Sequence, residues 1–240
     1  MIKLDVRTNF PEFLSKIDKT RADQLPQAMA WTLTEVAKRG RDAVIAEMQR
    51  VFDRPTPYTL NSLYVWGATK KKLVAEVVIK DDQNKGTPAS KYLAPEIEGG
   101  ERSFKRFERS LQLAGLLPSG MYAAPGHEAP LDQYGNMPPQ LLVRILSDLR
   151  AFPEAGYRAN RRLSKASTFF VARAGSHLKP GIYWRLPNRM LVCIVAFVRT
   201  PHYSVRLAFY PLLQRTAAAE FPRVFPLMWQ RALSTDRGAR

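Results

Sequence analysis

No proline interrupts the chain between Pro26 and Pro55, and across that interval apolar residues recur at three- and four-residue spacings: Leu25, Met29, Leu33, Val36, Val44, Met48 and Val51. That period is the signature of an amphipathic helix, here from about Asp23 to Phe52. A helix of this length must bury its stripe against something, which restricts the fold more than any other feature of the sequence. Gly40 and the alanines at 28, 30, 37, 43 and 46 keep part of the helix slim, so another backbone can approach it closely. Asp53-Arg-Pro-Thr-Pro57 ends it, because proline cannot continue the hydrogen-bond ladder.

Shorter elements are expected around it. Ile2–Val6 alternates like a strand, and Pro11 opens a short helix carrying Phe10, Phe13, Leu14 and Ile17. Leu63–Trp66 and Leu73–Ile79 read as two strands joined by the basic turn Gly67-Ala-Thr-Lys-Lys-Lys72. From Asp81 to Asn136 the pattern is irregular, with one helix expected at about Arg102–Leu113, and a second follows at Pro138–Leu149. Strands are expected at Thr168–Ala172, Gly181–Arg185, Met190–Val198 and Ser204–Leu207, with a turn at Pro187-Asn188. A last helix runs from Pro211 to Leu233, with bends available at Pro222 and Pro226. The expected architecture is α+β: an antiparallel sheet packed by the long N-terminal and C-terminal helices. Residues 1–240 are read as one domain with an irregular or helical insertion at about 85–165.

Charge is distributed unevenly along the chain. From Arg150 to Arg240 there are sixteen Lys and Arg against three carboxylates, Glu154, Glu220 and Asp236; from Ala155 to Ala219 there is no carboxylate at all. The first 149 residues hold twenty-one bases and eighteen acids, so most of the net +16 lies in the C-terminal stretch. Such a surface favours polyanionic partners, and it lacks the carboxylates that acid–base chemistry or hard-cation binding would use. No apolar run approaches the roughly 18–20 residues that span a bilayer, and no helix pairs a basic face with a fully exposed aromatic one over about 20 residues, so no membrane partner is expected. Met1-Ile-Lys-Leu-Asp5 lacks the apolar core of a signal peptide. The single Cys193 lies in an apolar strand-like run, where a structural role is the plain reading. The expected compartment is therefore the cytosol or a particle assembled there.

Two segments place cations on one helical face. Arg102, Lys105, Arg106 and Arg109 fall at i, i+3, i+4 and i+7, and Arg158, Arg161, Arg162 and Lys165 repeat the spacing. Either face could meet phosphates; either could equally be a solvated amphipathic surface. His127-Glu128 has no second histidine at ligand spacing, and the sequence contains neither a nucleophile elbow nor a phosphate-binding glycine loop. No catalytic residue, metal or cofactor is expected. The nearest approach to a nuclease is Glu76, Lys80 and Asp82 on one strand face, an alternation that any half-solvated strand also shows. Tyr183, Trp184, Arg185, Phe197, Tyr203, Phe209 and Tyr210 could stack on bases or fill a sheet core.

The order of elements resembles the minor tail protein Z and tail-completion families of long-tailed bacteriophages. The likeness is carried by the helix Leu25-Pro-Gln-Ala-Met-Ala-Trp-Thr-Leu-Thr-Glu-Val-Ala-Lys38, the proline break, the basic hairpin, the basic strand block and the phrase Val205-Arg-Leu-Ala-Phe-Tyr-Pro-Leu-Leu213 before the last helix. It covers about 20–80 and 168–235, and the segment between about 85 and 165 has no counterpart. The resemblance implies a non-enzymatic virion protein at the tail or head–tail junction, assembled in the host cytoplasm. Its implied partners are other tail or connector proteins, further copies of itself in a homo-oligomeric ring, and genomic DNA held by non-specific electrostatics. Met29, Leu33, Val36 and Gly40 on the slim helix, with Tyr64 and Trp66 on the hairpin, are then the expected subunit contacts. The other reading is a nucleic-acid-binding module outside any virion.

Overall fold

The computed structural model describes residues 23–81, 87–152 and 168–236. The strand expected at Ile2–Val6, the short helix after Pro11 and the basic segment Arg158–Lys165 lie outside these residues. In chain order the elements are α1 (Leu25–Val51), α2 (Pro57–Leu60), β1 (Leu63–Trp66), β2 (Glu76–Ile79), α3 (Ala89–Glu98), β3 (Gly100–Glu101), α4 (Arg106–Leu113), β4 (Met121–Pro125), α5 (Pro139–Asp148), β5 (Phe169–Ala172), β6 (Gly181–Arg185), β7 (Leu191–Arg199), β8 (His202–Tyr203) and α6 (Phe209–Asp236). The class is α+β, with every strand pair antiparallel. The strands are divided among three small sheets. The chain forms two units: one from the residues up to Glu98 together with those from Val205 onward, the other from Gly99 to Ser204. The single domain and the insertion at about 85–165 expected from sequence thus give way to a division at 98/99 and 204/205. The basic strand block falls inside the inserted unit because its strands pair with β4, a strand that composition does not announce.

The first unit is built on the α1–α6 pair. Gly40 meets Leu213, Arg39 meets Glu220 and Arg231 stacks over Trp31, so the two helices run antiparallel. Ala28 and Val36 pack against Ala217, Phe221, Val224, Phe225 and Ala232, and Thr32 satisfies its hydroxyl on the Ala28 carbonyl at 2.7 Å. A Cβ on Gly40 would stand 2.8 Å from Leu213 Cδ2, so the closest approach needs glycine. Pro222 and Pro226 sit inside α6 but on its exposed side, where the carbonyls they leave without donors face water. Farther along α1, Val44 and Met48 bury against Leu63 and Val77 of the hairpin, Leu93 and Ile97 of α3, and Phe209 at the start of α6.

The second unit is a four-stranded sheet in the order β4-β7-β6-β5 with α4 and α5 on one face. Leu111, Ile145, Ile182 and Ile194 meet there essentially without exposure, each contributing about 1.5–3 kcal/mol of burial. A bulge between β6 and β7 leaves Ile194 outside the pairing, so Ile194 and Val195 are both buried although strand neighbours ordinarily face opposite ways.

The differences from expectation have local causes. Helix α3 contains Pro95, which reads as a breaker, yet its apolar side (Ala89, Leu93, Ile97) is buried and outweighs the lost bond. Strand β4 is alanine-rich and ends in proline, both tolerated because it is an edge strand. Ser204–Leu207 does not form a strand; the two-residue β8 pairs with β3 instead, and Arg206 and Leu207 donate their N–H groups to the Glu96 carbonyl. Helix α4 begins at Arg106 rather than Arg102.

Candidate functional site

Of the four cations expected on one helix face, the fold keeps two there. Arg102 precedes the helix and Lys105 is its N-cap, so only Arg106 and Arg109 stand on α4. Arg102 is committed to a carboxylate: its Nη1 donates to Glu108 Oε2 at 2.8 Å and its Nη2 to Oε1 at 2.5 Å. The same carboxylate accepts from the backbone N–H of Lys105 at 2.6 Å and of Ala123 at 2.9 Å. Burial alone pushes the Glu108 carboxyl up, but these donors and the Arg102 charge together hold it below the ordinary carboxylate range. The Arg102 guanidinium also lies 4.7 Å from the centroid of Tyr122, which stacks on Phe104 at 4.4 Å. Arg102 is therefore a structural tie and not a phosphate contact. Arg106 and Arg109 are exposed and form no ion pair among the described residues.

The slim face of α1 does not await a second subunit. Val36 and Gly40 are buried in the α1–α6 seam and Met29 and Leu33 pack beside it, so the close approach that small residues permit is made within the chain. Tyr64 and Trp66 are different. Cross-strand register puts Tyr64 opposite Val78 and Trp66 opposite Glu76 on the outer side of the hairpin, away from Leu63, Val65, Val77 and Ile79. Both aromatics are half exposed, at 50% and 52%. Lys80, two residues beyond Val78, reaches over Tyr64 with its Nζ 5.9 Å from the centroid. At the other end, the N–H of Thr69 donates to the Lys72 carbonyl and that of Lys72 to the Thr69 hydroxyl, closing a turn that carries Lys70 and Lys71 into solvent. Gly67 allows this connection to lie against α1, since a Cβ there would come within 3.1 Å of the Thr34 hydroxyl.

A nuclease on Glu76, Lys80 and Asp82 finds no support in this geometry. Glu76 is buried with Lys72 Nζ 3.8 Å away, Lys80 is turned over Tyr64, and Asp82 lies outside the described residues. Among the described residues no three His, Cys, Asp or Glu side chains gather as a metal site would require, and no helix is long and apolar enough to cross a membrane. His127 is exposed and pairs with its neighbour Glu128 at 2.9 Å. Cys193 is half-buried in β7.

Most of the aromatics weighed as base-stacking residues belong to cores. Tyr183, Phe197 and Phe209 are buried, Tyr203 and Trp184 partly so, and Tyr210 is the exposed member with its hydroxyl near Glu98. Arg144 lies over Phe169 and Trp184 at 5.5 and 5.7 Å, and the buried Arg144 Nε and Trp184 Nε1 donors have no hydrogen-bond partner among the described residues. The inserted unit also carries a shallow, open depression of about 540 Å³ between Phe104, Leu117, Tyr122 and Thr200.

Reading residue by residue missed the combination on the hairpin. Tyr64, Trp66 and Lys80 each drew attention separately, but only the period-two alternation combined with the register places them on one side, with the lysine turn at the end of the hairpin. No family model, curated protein or solved structure matches this chain.

Proposed function

We propose that this chain is a structural virion protein that helps complete or join a phage tail, acting by protein–protein assembly with basic surfaces turned toward DNA. The observation that carries the electrostatic part is the state of the cations in the inserted unit. Arg106, Arg109, Arg173, Lys179, Arg185, Arg189 and Arg199 are exposed, and none forms an ion pair among the described residues. Seven outward charges without an ion pair among the described residues suit a polyanion at close range. The tail assignment draws its support from the order of elements: a long helix, a proline break, a basic hairpin, an inserted unit and a closing helix.

Quantitative mass spectrometry of purified, nuclease-treated phage particles from a host carrying the gene tests this reading. A few to about a dozen copies per particle is the expected result for a closed ring of subunits in a tail. Complete absence from particles overturns it. A second reading, a nucleic-acid-binding module acting outside a virion, is favoured by the aromatic and lysine groups of the hairpin. It requires tight, salt-dependent DNA binding by the isolated protein.

A further inference from the structure

We infer that the outer side of the β1–β2 hairpin is a binding site for single-stranded nucleic acid, on which bases stack against Tyr64 and Trp66 while Lys70, Lys71 and Lys80 hold the backbone. The inference does not rest on the tail reading and stands or falls with the isolated protein.

Four observations converge on it. Tyr64 and Trp66 are same-side neighbours two residues apart on one strand, which sets them roughly 6.6 Å apart along it. Successive unstacked bases can therefore each find an aromatic face. Both side chains are about half exposed, although the opposite side of the same hairpin buries Leu63 and Val77 to near completion. Two half-exposed aromatics side by side on one side of a small sheet offer a surface on which flat rings can dock.

Cations bracket the aromatic pair at both ends. Lys80 stands beside Tyr64, and the turn holding Lys70 and Lys71 begins three residues beyond Trp66. Among the described residues the nearby carboxylates are engaged: Glu76 is buried beside Lys72, and Asp81 accepts the hydroxyl of Ser90. A protein partner would use the aromatic faces as well, but lysines at both ends of the pair favour a polyanion. A duplex would be met by cations alone, since its bases hide their faces in the stack. Aromatic faces flanked by lysines that form no ion pair among the described residues suit an unpaired strand, which presents both π-faces and phosphates.

Fluorescence anisotropy of a labelled oligothymidylate titrated with the full chain tests the site. The comparison is among wild type, Tyr64→Ser, Trp66→Ser, Trp66→Phe and the double variant Lys70→Glu/Lys71→Glu. Serine at either aromatic position leaves net charge unchanged, so any effect is separable from phosphate attraction elsewhere on this basic protein. Each serine variant is expected to weaken binding roughly 5- to 150-fold, with Trp66→Phe retaining most of the affinity. Because Lys70 and Lys71 stand on an exposed turn, their reversal tests the site even if a serine variant proves unstable; it too is expected to weaken binding at least tenfold. Wild-type affinity in a serine variant whose circular dichroism is native overturns the inference. So does equal, aromatic-independent binding of duplex and single strand. A serine variant that alters the sedimentation coefficient while leaving binding intact would assign the face to a second copy of the chain, and would likewise overturn it.

Discussion

Arg102 and Glu108 form a bidentate pair at 2.8 and 2.5 Å, on a carboxylate that has no solvent exposure. The pair ties the segment before α4 to the helix, and through the Ala123 N–H it also ties β4 to both. A charge held this way is tolerable only while each of its lone pairs is used. Replacing Arg102 with Met is therefore expected to cost about 3–5 kcal/mol, because it strands a buried carboxylate. Urea denaturation followed by circular dichroism measures this; a loss under about 1 kcal/mol would show the carboxylate to be solvated after all.

The same geometry predicts how charge substitutions act on DNA binding. Arg106 and Arg109 are exposed and unpaired among the described residues, whereas Arg102 is spent on Glu108. Replacing both Arg106 and Arg109 with Ala is expected to flatten the slope of log affinity against log salt on duplex DNA by up to about 1.8. A Lys substitution at Arg102 should leave that slope unchanged. The opposite ranking would return Arg102 to the phosphate-facing surface.

Two carboxyls make opposite contributions to pH dependence. Glu108 is held below its ordinary value of 4.5, so its contribution to stability is complete above that value and is lost as pH falls through the lowered folded value. Glu96 is raised above 4.5, first by burial, with Arg206 at 3.7 Å only partly opposing it. Between the two values folded Glu96 binds more protons than the unfolded chain does, so stability falls as pH rises through that window. Glu96→Gln is expected to remove the fall on the neutral side of 4.5 and to leave the acid limb, to which Glu108 contributes, in place. Unfolding free energies of both proteins from pH 3 to 8 supply the comparison, and identical curves would contradict the assignment.

Gly126 follows β4 and donates its N–H to the Ile194 carbonyl at 2.8 Å. A Cβ there would stand 2.1 Å from the Cys193 carbonyl oxygen, a backbone atom that cannot swing aside. Gly126→Ala is expected to destabilise the fold by about 1–3 kcal/mol or more through overpacking. At Gly40 the obstructing atom is instead the end of the Leu213 side chain, so alanine there should be milder. Thermal melts of the two variants rank them.

The long helix, its proline stop, the β6 and β7 strands and the closing helix were legible because each carries a sustained period or a breaker in its own residues. Leu25 through Val51 repeat at helical spacing, and Gly181–Arg185 and Leu191–Arg199 are apolar runs flanking a turn. The alternation of Leu63–Trp66 also exposes Tyr64 and Trp66 as candidates without any structure.

Tertiary structure decided what those residues face. Arg102 shares a helical period with Arg106 and Arg109, but Glu108 pulls it out of the helix and into a buried pair, since an unpaired buried carboxylate is costlier than a shorter helix. Gly40 reads the same whether its partner is a second subunit or a helix more than 170 residues away in the same chain; only the packing of Leu213 against it settles the matter. The strands at β6 and β7 are local, while their membership in the inserted unit depends on pairing with Met121–Pro125, a segment whose own composition is nearly silent. Periodicity is written locally, because the backbone repeats every two or 3.6 residues. Partnership depends on contacts made across long stretches of chain, and no local pattern records them.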